Sequence, residues 1–357
     1  MRFMLSLLMV LALGLSAGCR HKGDELDSSA LAAAPKLKPA CPLATLCTKG
    51  LPELSKASGF HTLYNRALAR IGFFSHRARD VIAVEGQPVW IIGKFTYGYL
   101  DALLKGEEVD IYLAKSCNSA LEKIGTTKTT QEAEHVTVEG VKDDGARIYV
   151  ELGSLGIKLP VGRHRLVLVV PADNSYAELF VDIIKPDTKF VVTDIDGTLT
   201  IGEFAAATEV YKKPPPAYAE AAEALFELYN KGYHIFYLTA RPEWFTYRTR
   251  AWLENNHFPP GILHTTSSLI GANGAAASRF KTNELALFKS ETDITPTLAF
   301  GNKESDVKAF ANSSIPALNS YYYGLPTELN GGGNSHTDYL ELKKSFTTQP
   351  SLCPASN

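Results

Sequence analysis

Phe190-Val191-Val192-Thr193-Asp194-Ile195-Asp196-Gly197-Thr198-Leu199-Thr200 is the stretch on which the fold turns. Its first four residues predict a buried strand over 190–193. That strand delivers two carboxylates, Asp194 and Asp196, at i and i+2, and Gly197 then permits a tight turn.

Beyond this run, strand and helix patterns alternate. Pro214-Pro215-Pro216 is expected to open a helix, with an apolar stripe of Tyr218, Ala221, Leu225 and Tyr229 and Gly232 at its end. Strands are expected over 233–238, at Ile262-Leu263 and over 297–300, and helices over 243–256, 280–290 and 304–311. Such alternation predicts an α/β fold, a parallel sheet with helices on both faces. Ligands in such folds sit at the carboxyl ends of the strands.

Three further polar motifs accompany the first. Tyr237-Leu238-Thr239-Ala240-Arg241 ends a strand on a hydroxyl and a guanidinium, Lys281 starts a helix, and Ala299-Phe300-Gly301-Asn302 with Asp306 ends another strand. Each alone has a bland reading. A DxDG can be a calcium or surface turn, a helical lysine usually faces solvent, and Asn302 and Asp306 suit helix caps. In this order they point to one site.

These residues resemble the haloacid dehalogenase superfamily of phosphatases, and within it the lipin-type phosphatidate phosphatase domain. Asp-Ile-Asp-Gly-Thr at 194–198, Tyr-Leu-Thr-Ala-Arg at 237–241, Trp252-Leu253, Phe280-Lys281 and Ala-Phe-Gly-Asn at 299–302 with Asp306 carry the likeness, over roughly 188–318. Lipin-type domains often have Ser where Thr239 stands, a departure that keeps the hydroxyl. The resemblance implies Asp194 as nucleophile and Asp196 as the acid that protonates the leaving alkoxide and then takes a proton from water. Asp196 would start protonated while Asp194 is ionised. It implies Mg2+ on Asp194, the Asp196 backbone carbonyl and Asp306, with Asn302 a further candidate. Thr198, Thr239 and Lys281 would hold the phosphoryl oxygens. Lys289 is the rival lysine, and Arg241 either orders the site or makes a structural salt bridge.

About sixteen residues separate Thr200 from Ala217, and about forty separate Arg241 from Lys281. Neither interval holds a large cap domain. An open site suits a large substrate, and the expected reaction is hydrolysis of phosphatidate or a related lipid phosphomonoester. An exported phosphatase for soluble phosphomonoesters is the first alternative. A phosphatidate-binding module without turnover is the second, although such a module would be expected to lack a catalytic carboxylate, and both are present.

Upstream, short β-rich runs at 81–84, 89–95, 109–114, 135–141, 146–152, 164–170 and 177–184 predict an antiparallel β-sandwich, Ig-like in pattern. It shows no catalytic constellation and reads as a packing or interaction module. A helix is expected within 60–74.

The N-terminus differs in kind. Arg2, an apolar run from Met4 to Leu15 and small residues ending at Cys19 form a signal peptide. Its end resembles the lipobox of bacterial lipoproteins, which implies acylation of Cys19, an exported protein and a membrane anchor. Arg20 in place of Asp leans towards the outer membrane, facing the periplasm. The expected organisation is a signal peptide at 1–19, a tether at 20–55, a β-sandwich domain with its helix at 56–186, a phosphatase domain at 187–345 and a tail at 346–357. Cys41 and Cys47 are close in sequence and could close a small loop in an oxidising compartment, but with Cys117 and Cys353 three pairings are open and none is assigned. A net charge of −2 over 357 residues gives no bulk attraction for nucleic acid. Tyr321-Tyr322-Tyr323 reads as core or edge packing, and Gly331-Gly332-Gly333-Asn334 as a loop.

Overall fold

A computed structural model describes Cys47 and residues 50–98, 100–202 and 214–353. The expected signal peptide, the expected lipidation residue Cys19 and most of the expected tether lie outside the described residues. The architecture is mixed: a β-sandwich, then a parallel-sheet, Rossmann-like α/β domain.

The sandwich pairs two sheets. One orders strands Arg77–Ala78, Trp90–Lys94 and Arg147–Glu151. The other orders Val81–Val84, Ser175–Ile184, Gly162–Val170, Glu108–Ala114 and Glu122–Lys128. Ile91, Phe95, Ile111, Ile148, Leu166, Leu168 and Leu179 fill the space between them. All pairings are antiparallel except one: Val81–Val84 runs parallel to the end of Ser175–Ile184. The helix expected within 60–74 spans Leu63–Ile71, capped by Thr62, whose side chain accepts from the Asn65 amide. The stretch read as a tether is fastened at its end. Arg165 Nη1 donates to the Gly50 carbonyl at 2.9 Å, and a disulfide joins Cys47 to Cys117.

The strand expected at 135–141 is a turn. Glu139 and Gly140 both have positive φ, which breaks any ladder, and only Val138 and Val141 bridge each other. Glu122–Lys128 does form a strand, one whose polar sequence gave no signal because it lies at an exposed sheet edge.

In the α/β domain six parallel strands follow the order Gly261–Thr266, His234–Pro242, Phe190–Thr193, Leu298–Gly301, Ser320–Tyr323, Asn334–His336. Phe190–Thr193 is central and wholly buried, which its unbroken β-branched and aromatic run dictates. Helices Ala221–Asn230 and Tyr339–Thr347 cover one face with Leu225, Tyr229, Tyr339 and Phe346. Helices Gly274–Thr292 and Glu304–Asn312 cover the other with Leu285, Phe288 and Phe310. The prolines at 214–216 do not open a helix. Their segment is extended, its Pro216 carbonyl accepting from the Ile201 amide at 2.8 Å, and the helix begins at Ala221. Gly232, with φ of 101°, ends it as expected.

Ile82, Phe180 and Ile184 of the sandwich share a core with Phe190, Phe236 and Phe288. Fully buried Asp80 lies at this junction. Its carboxylate accepts from the Phe180 amide, the Leu263 amide and Arg250 Nη2, each at 2.9 Å. Arg163 Nη2 donates to the Gly261 carbonyl at 2.9 Å, and the guanidiniums of Arg163 and Arg250 lie 4.3 and 4.7 Å from the centre of the Phe180 ring. A cavity of about 630 Å³ remains between the halves, lined among others by Arg77, Arg147, Glu243 and Glu284. No described helix is long and apolar enough to cross a membrane.

Candidate active site

The carboxyl ends of three adjacent strands converge on one site. The central strand hands the chain to Asp194, whose amide donates to the Phe300 carbonyl at 2.9 Å, locking it to the neighbouring strand end. Gly197 takes φ of 73°, and its amide donates to Thr200 Oγ1. The turn folds Thr198 back, so that Thr198 Oγ1 lies 3.4 Å from Asp194 Oδ2 and 3.3 Å from Asn302 Oδ1. Tyr339 Oη, from the last helix, fixes the turn by donating to the Thr198 carbonyl at 2.7 Å.

Strand His234–Pro242 loses its regular pairing between Leu238 and Pro242. That irregularity releases Thr239 and Arg241 towards the site. Arg241 Nη2 lies 2.6 Å from Asp196 Oδ1 and Nε 2.9 Å from Asp196 Oδ2, a two-pronged ion pair. Thr239 Oγ1 reaches the same Asp196 Oδ2 at 3.2 Å. Thr249 receives Arg241 Nη1 at 3.2 Å, so the guanidinium is held from both ends.

Lys281 enters from helix Gly274–Thr292. Its Nζ lies 2.7 Å from Asp194 Oδ1 and 2.6 Å from Asp306 Oδ1. Lys289, the rival, is exposed and pairs with Asp293. Both oxygens of Asp306 are engaged: Oδ1 by Lys281, Oδ2 by the amides of Asn302 and Lys303 at 3.0 Å. This close approach requires Gly301, because a Cβ there would lie 2.5 Å from the Asp306 Cβ.

Lys281 thus faces two buried carboxylates with one positive charge, while Asp196 and Arg241 neutralise each other. Burial, with help from Asp306 and Asp196, pushes Asp194 up to about 7 against the pull of Lys281. Asp194 and Asp306 in turn push Lys281 above its ordinary range despite its burial. A divalent cation suits this excess of negative charge. The oxygens gathered around Lys281 and Thr198 are those of Asp194, Asp306 and Asn302, the kind that hard divalent cations take. Among the described residues no three Asp, Glu, His or Cys side chains form a metal cluster by themselves. The expected residues therefore come together in two groups, Asp194–Lys281–Asp306 with Thr198 and Asn302, and Asp196–Arg241–Thr239. Tyr339 went unnoticed in the sequence because nothing near 339 carries a motif.

Comparison with known proteins agrees with this organisation at the level of domains. The family model described as "PITM 1-3, LNS2 domain" matches residues 191–324, and "PITM 1-3, beta-sandwich domain" matches residues 74–183. Membrane-associated phosphatidylinositol transfer protein 2 of Mus musculus is 29% identical over 257 residues, 71% of this chain and 17% of that protein. Protein retinal degeneration B of Drosophila melanogaster is 27% identical over 239 residues, 67% of this chain and 17% of that protein. The chain thus spans 17% of the length of these curated relatives. Among solved structures, D,D-heptose 1,7-bisphosphate phosphatase of B. bronchiseptica, complexed with magnesium and phosphate, is similar over 44% of this chain at 12% identity and a TM-score of 0.32. By sequence, the chain is similar to the LNS2 and β-sandwich portions of phosphatidylinositol transfer proteins, where the residues alone had suggested the lipin-type phosphatases.

Proposed function

We propose that the chain is a Mg2+-dependent phosphomonoester hydrolase acting through Asp194 on phosphatidate or a related lipid phosphate at a membrane. The observation that carries this reading is the buried Asp194, held at Oδ1 by Lys281 while Oδ2 faces Thr198 and Asn302. Asp194 Oδ2 attacks phosphorus as the bond to the leaving alkoxide breaks, giving an aspartyl-phosphate. Asp196, once it has picked up a proton from solvent on an oxygen released from Arg241, supplies the alkoxide's proton and then takes one from the water that releases phosphate. Lys281, Thr198 and Thr239 meet the phosphoryl oxygens, and Lys281 offsets their charge in a site away from bulk water. Asp194, the Asp196 carbonyl and Asp306, with Asn302 a further candidate, would hold Mg2+, Asp306 also contacting Lys281. Bound Mg2+ would supply charge stabilisation at the transferred phosphoryl group. Acylation of Cys19 and export to the envelope belong to the same proposal, placing the site beside its substrate.

Between Arg241 and Lys281 the chain forms only a short helical turn, a helix, a strand and a loop before the helix bearing Lys281. This supports a site without a large cap. The test is phosphate release from phosphatidate with Mg2+, by the native chain and by Asp194→Asn. Equal release from both would remove Asp194 from the chemistry.

One observation favours a second reading, recognition of a phosphorylated lipid without turnover. Both oxygens of Asp196 accept from Arg241. A carboxyl that donates a proton to the leaving group must first give up part of that pair. Mg2+-independent binding to phosphatidate vesicles with no phosphate released would select this reading.

A further inference from the structure

The loop that follows strand Gly261–Thr266 carries Leu269 and Ile270, which are 58% and 80% exposed. Isolated exposed apolar residues are ordinary. These two, however, sit on a loop fixed to the candidate site. The Ala272 amide donates to the Ala240 carbonyl at 3.0 Å, between Thr239 and Arg241. Gly271 passes so close that a Cβ there would lie 2.8 Å from that carbonyl. Trp244 Nε1 donates to the Leu269 carbonyl at 2.8 Å, bracing the loop from the other side. Ile201, half-exposed, leaves the Asp194 turn at the same carboxyl edge of the sheet.

Arg248, Arg279 and Lys303 are exposed cations at this edge; of its exposed acids, Glu304 adjoins Lys303, while Glu328 and Asp338 follow the strands farthest from the loop. A rigid apolar tip, a half-buried indole and flanking cations match a bilayer surface. Apolar side chains enter the acyl boundary, Trp sits at headgroup level and cations meet anionic headgroups.

We propose that Leu269, Ile270, Trp244 and Ile201 form a docking rim that seats the mouth of the site on an anionic lipid bilayer. The proposal rests on the reading of the substrate as a lipid phosphate, and it names the surface from which that lipid would be drawn. Charge complementarity and the hydrogen-bonded link from the loop to Ala240 select a bilayer over a protein partner.

The experiment uses the full chain and vesicles of phosphatidylcholine and phosphatidylglycerol with brominated acyl chains. Trp252 is buried and Trp90 lies in the sandwich, so Trp244 is the indole placed to meet the bromines. Quenching on vesicle addition is expected, lost in Trp244→Phe and at least fivefold weaker in the double variant Leu269→Ser/Ile270→Ser. No quenching in the native chain, or equal quenching in the double variant, overturns the proposal. So does a dimer that dissociates in the double variant without change in quenching, which would give the rim to a second copy. In parallel, phosphate release is measured from soluble dioctanoyl phosphatidate and from long-chain phosphatidate in vesicles. The double variant is expected to keep the first within twofold and to lose the second at least tenfold. Absence of release from both substrates by the native chain defeats the hydrolase reading, whereas the quenching result judges the docking rim separately.

Discussion

Arg241 grips Asp196 with two nitrogens, at 2.6 and 2.9 Å, and is itself steadied by Thr249. The second acidic residue of the DxD run is therefore oriented by a side chain 45 positions away. Replacing Arg241 by Ala should cost stability, because it breaks a buried pair, and lower kcat by about 10- to 100-fold, the range for a lost charge-assisted contact at a reacting group. Lys should rescue little, because it cannot make the forked contact. Steady-state kinetics on one phosphomonoester decide it; an unchanged kcat in Arg241→Ala would leave the pair a purely structural bridge.

Lys281→Met removes the one cation between Asp194 and Asp306. Turnover should fall by about 10²-fold or more. Unpairing the buried carboxylates should also cost about 3–5 kcal/mol of stability. Denaturant melts beside activity separate the two effects. Lys289→Met, at an exposed position, should change neither.

Asp80→Ala strips the junction of an acceptor for two amides and for Arg250. The expected loss is about 3–5 kcal/mol, as for other buried charges left unpaired. Asp80→Asn should recover part of it. A melting temperature within a degree of the native chain would show that the junction contributes nothing.

Reducing the Cys47–Cys117 bond reopens a loop with a sequence separation of 70. Chain entropy places the cost at about 4 kcal/mol. Cys353 is itself disulfide-bonded, so a reductant would open more than this loop; the urea midpoint of Cys47→Ser/Cys117→Ser without reductant, compared with that of the native chain, should show the drop.

His76 gives the acid response a definite sign. Its Nδ1 accepts from the Thr96 amide at 3.1 Å and its Nε2 lies 2.8 Å from Ser175 Oγ, so the ring is held neutral. Burial, then Arg77, push it down to about 3 from 6.5. Between those values the unfolded chain binds more protons than the folded one. The stability His76 contributes is thus whole above 6.5 and drains away as pH falls towards 3, at up to about 1.4 kcal/mol per pH unit. Glu284, drawn down to about 2 against its burial by Arg79 and His264, adds a loss in the same direction below its ordinary 4.5. Melting temperatures between pH 7 and 4 should decline, and less steeply in His76→Gln.

Much of the α/β half could be read directly. The run 190–193 could hardly be anything but a buried strand, and the acidic and hydroxyl motifs fell at strand ends, where parallel-sheet physics puts ligands; Lys281, expected at a helix start, is instead the eighth residue of helix Gly274–Thr292. Helix Gly274–Thr292 was read only from 280 because its first turn, Gly-Ala-Ala-Ala-Ser, carries no apolar period. Val136-Thr137-Val138 alternates like a strand, yet the positive φ of Glu139 and Gly140 makes the segment a turn. The pairing of Asp196 with Arg241 and the role of Asp80 depend on contacts across 45 and up to 183 positions, which no local pattern encodes.

Strand Gly261–Thr266 ends the parallel sheet on one side, and such a margin normally offers bare amides and carbonyls to any passing chain. Here Asp80 takes the Leu263 amide and Arg163 takes the Gly261 carbonyl, both from the sandwich. The β-rich half therefore acts as a selvedge, finishing the sheet so that it cannot be extended. A fragment lacking it would present an open template for strand addition, and self-association would be its fate in solution.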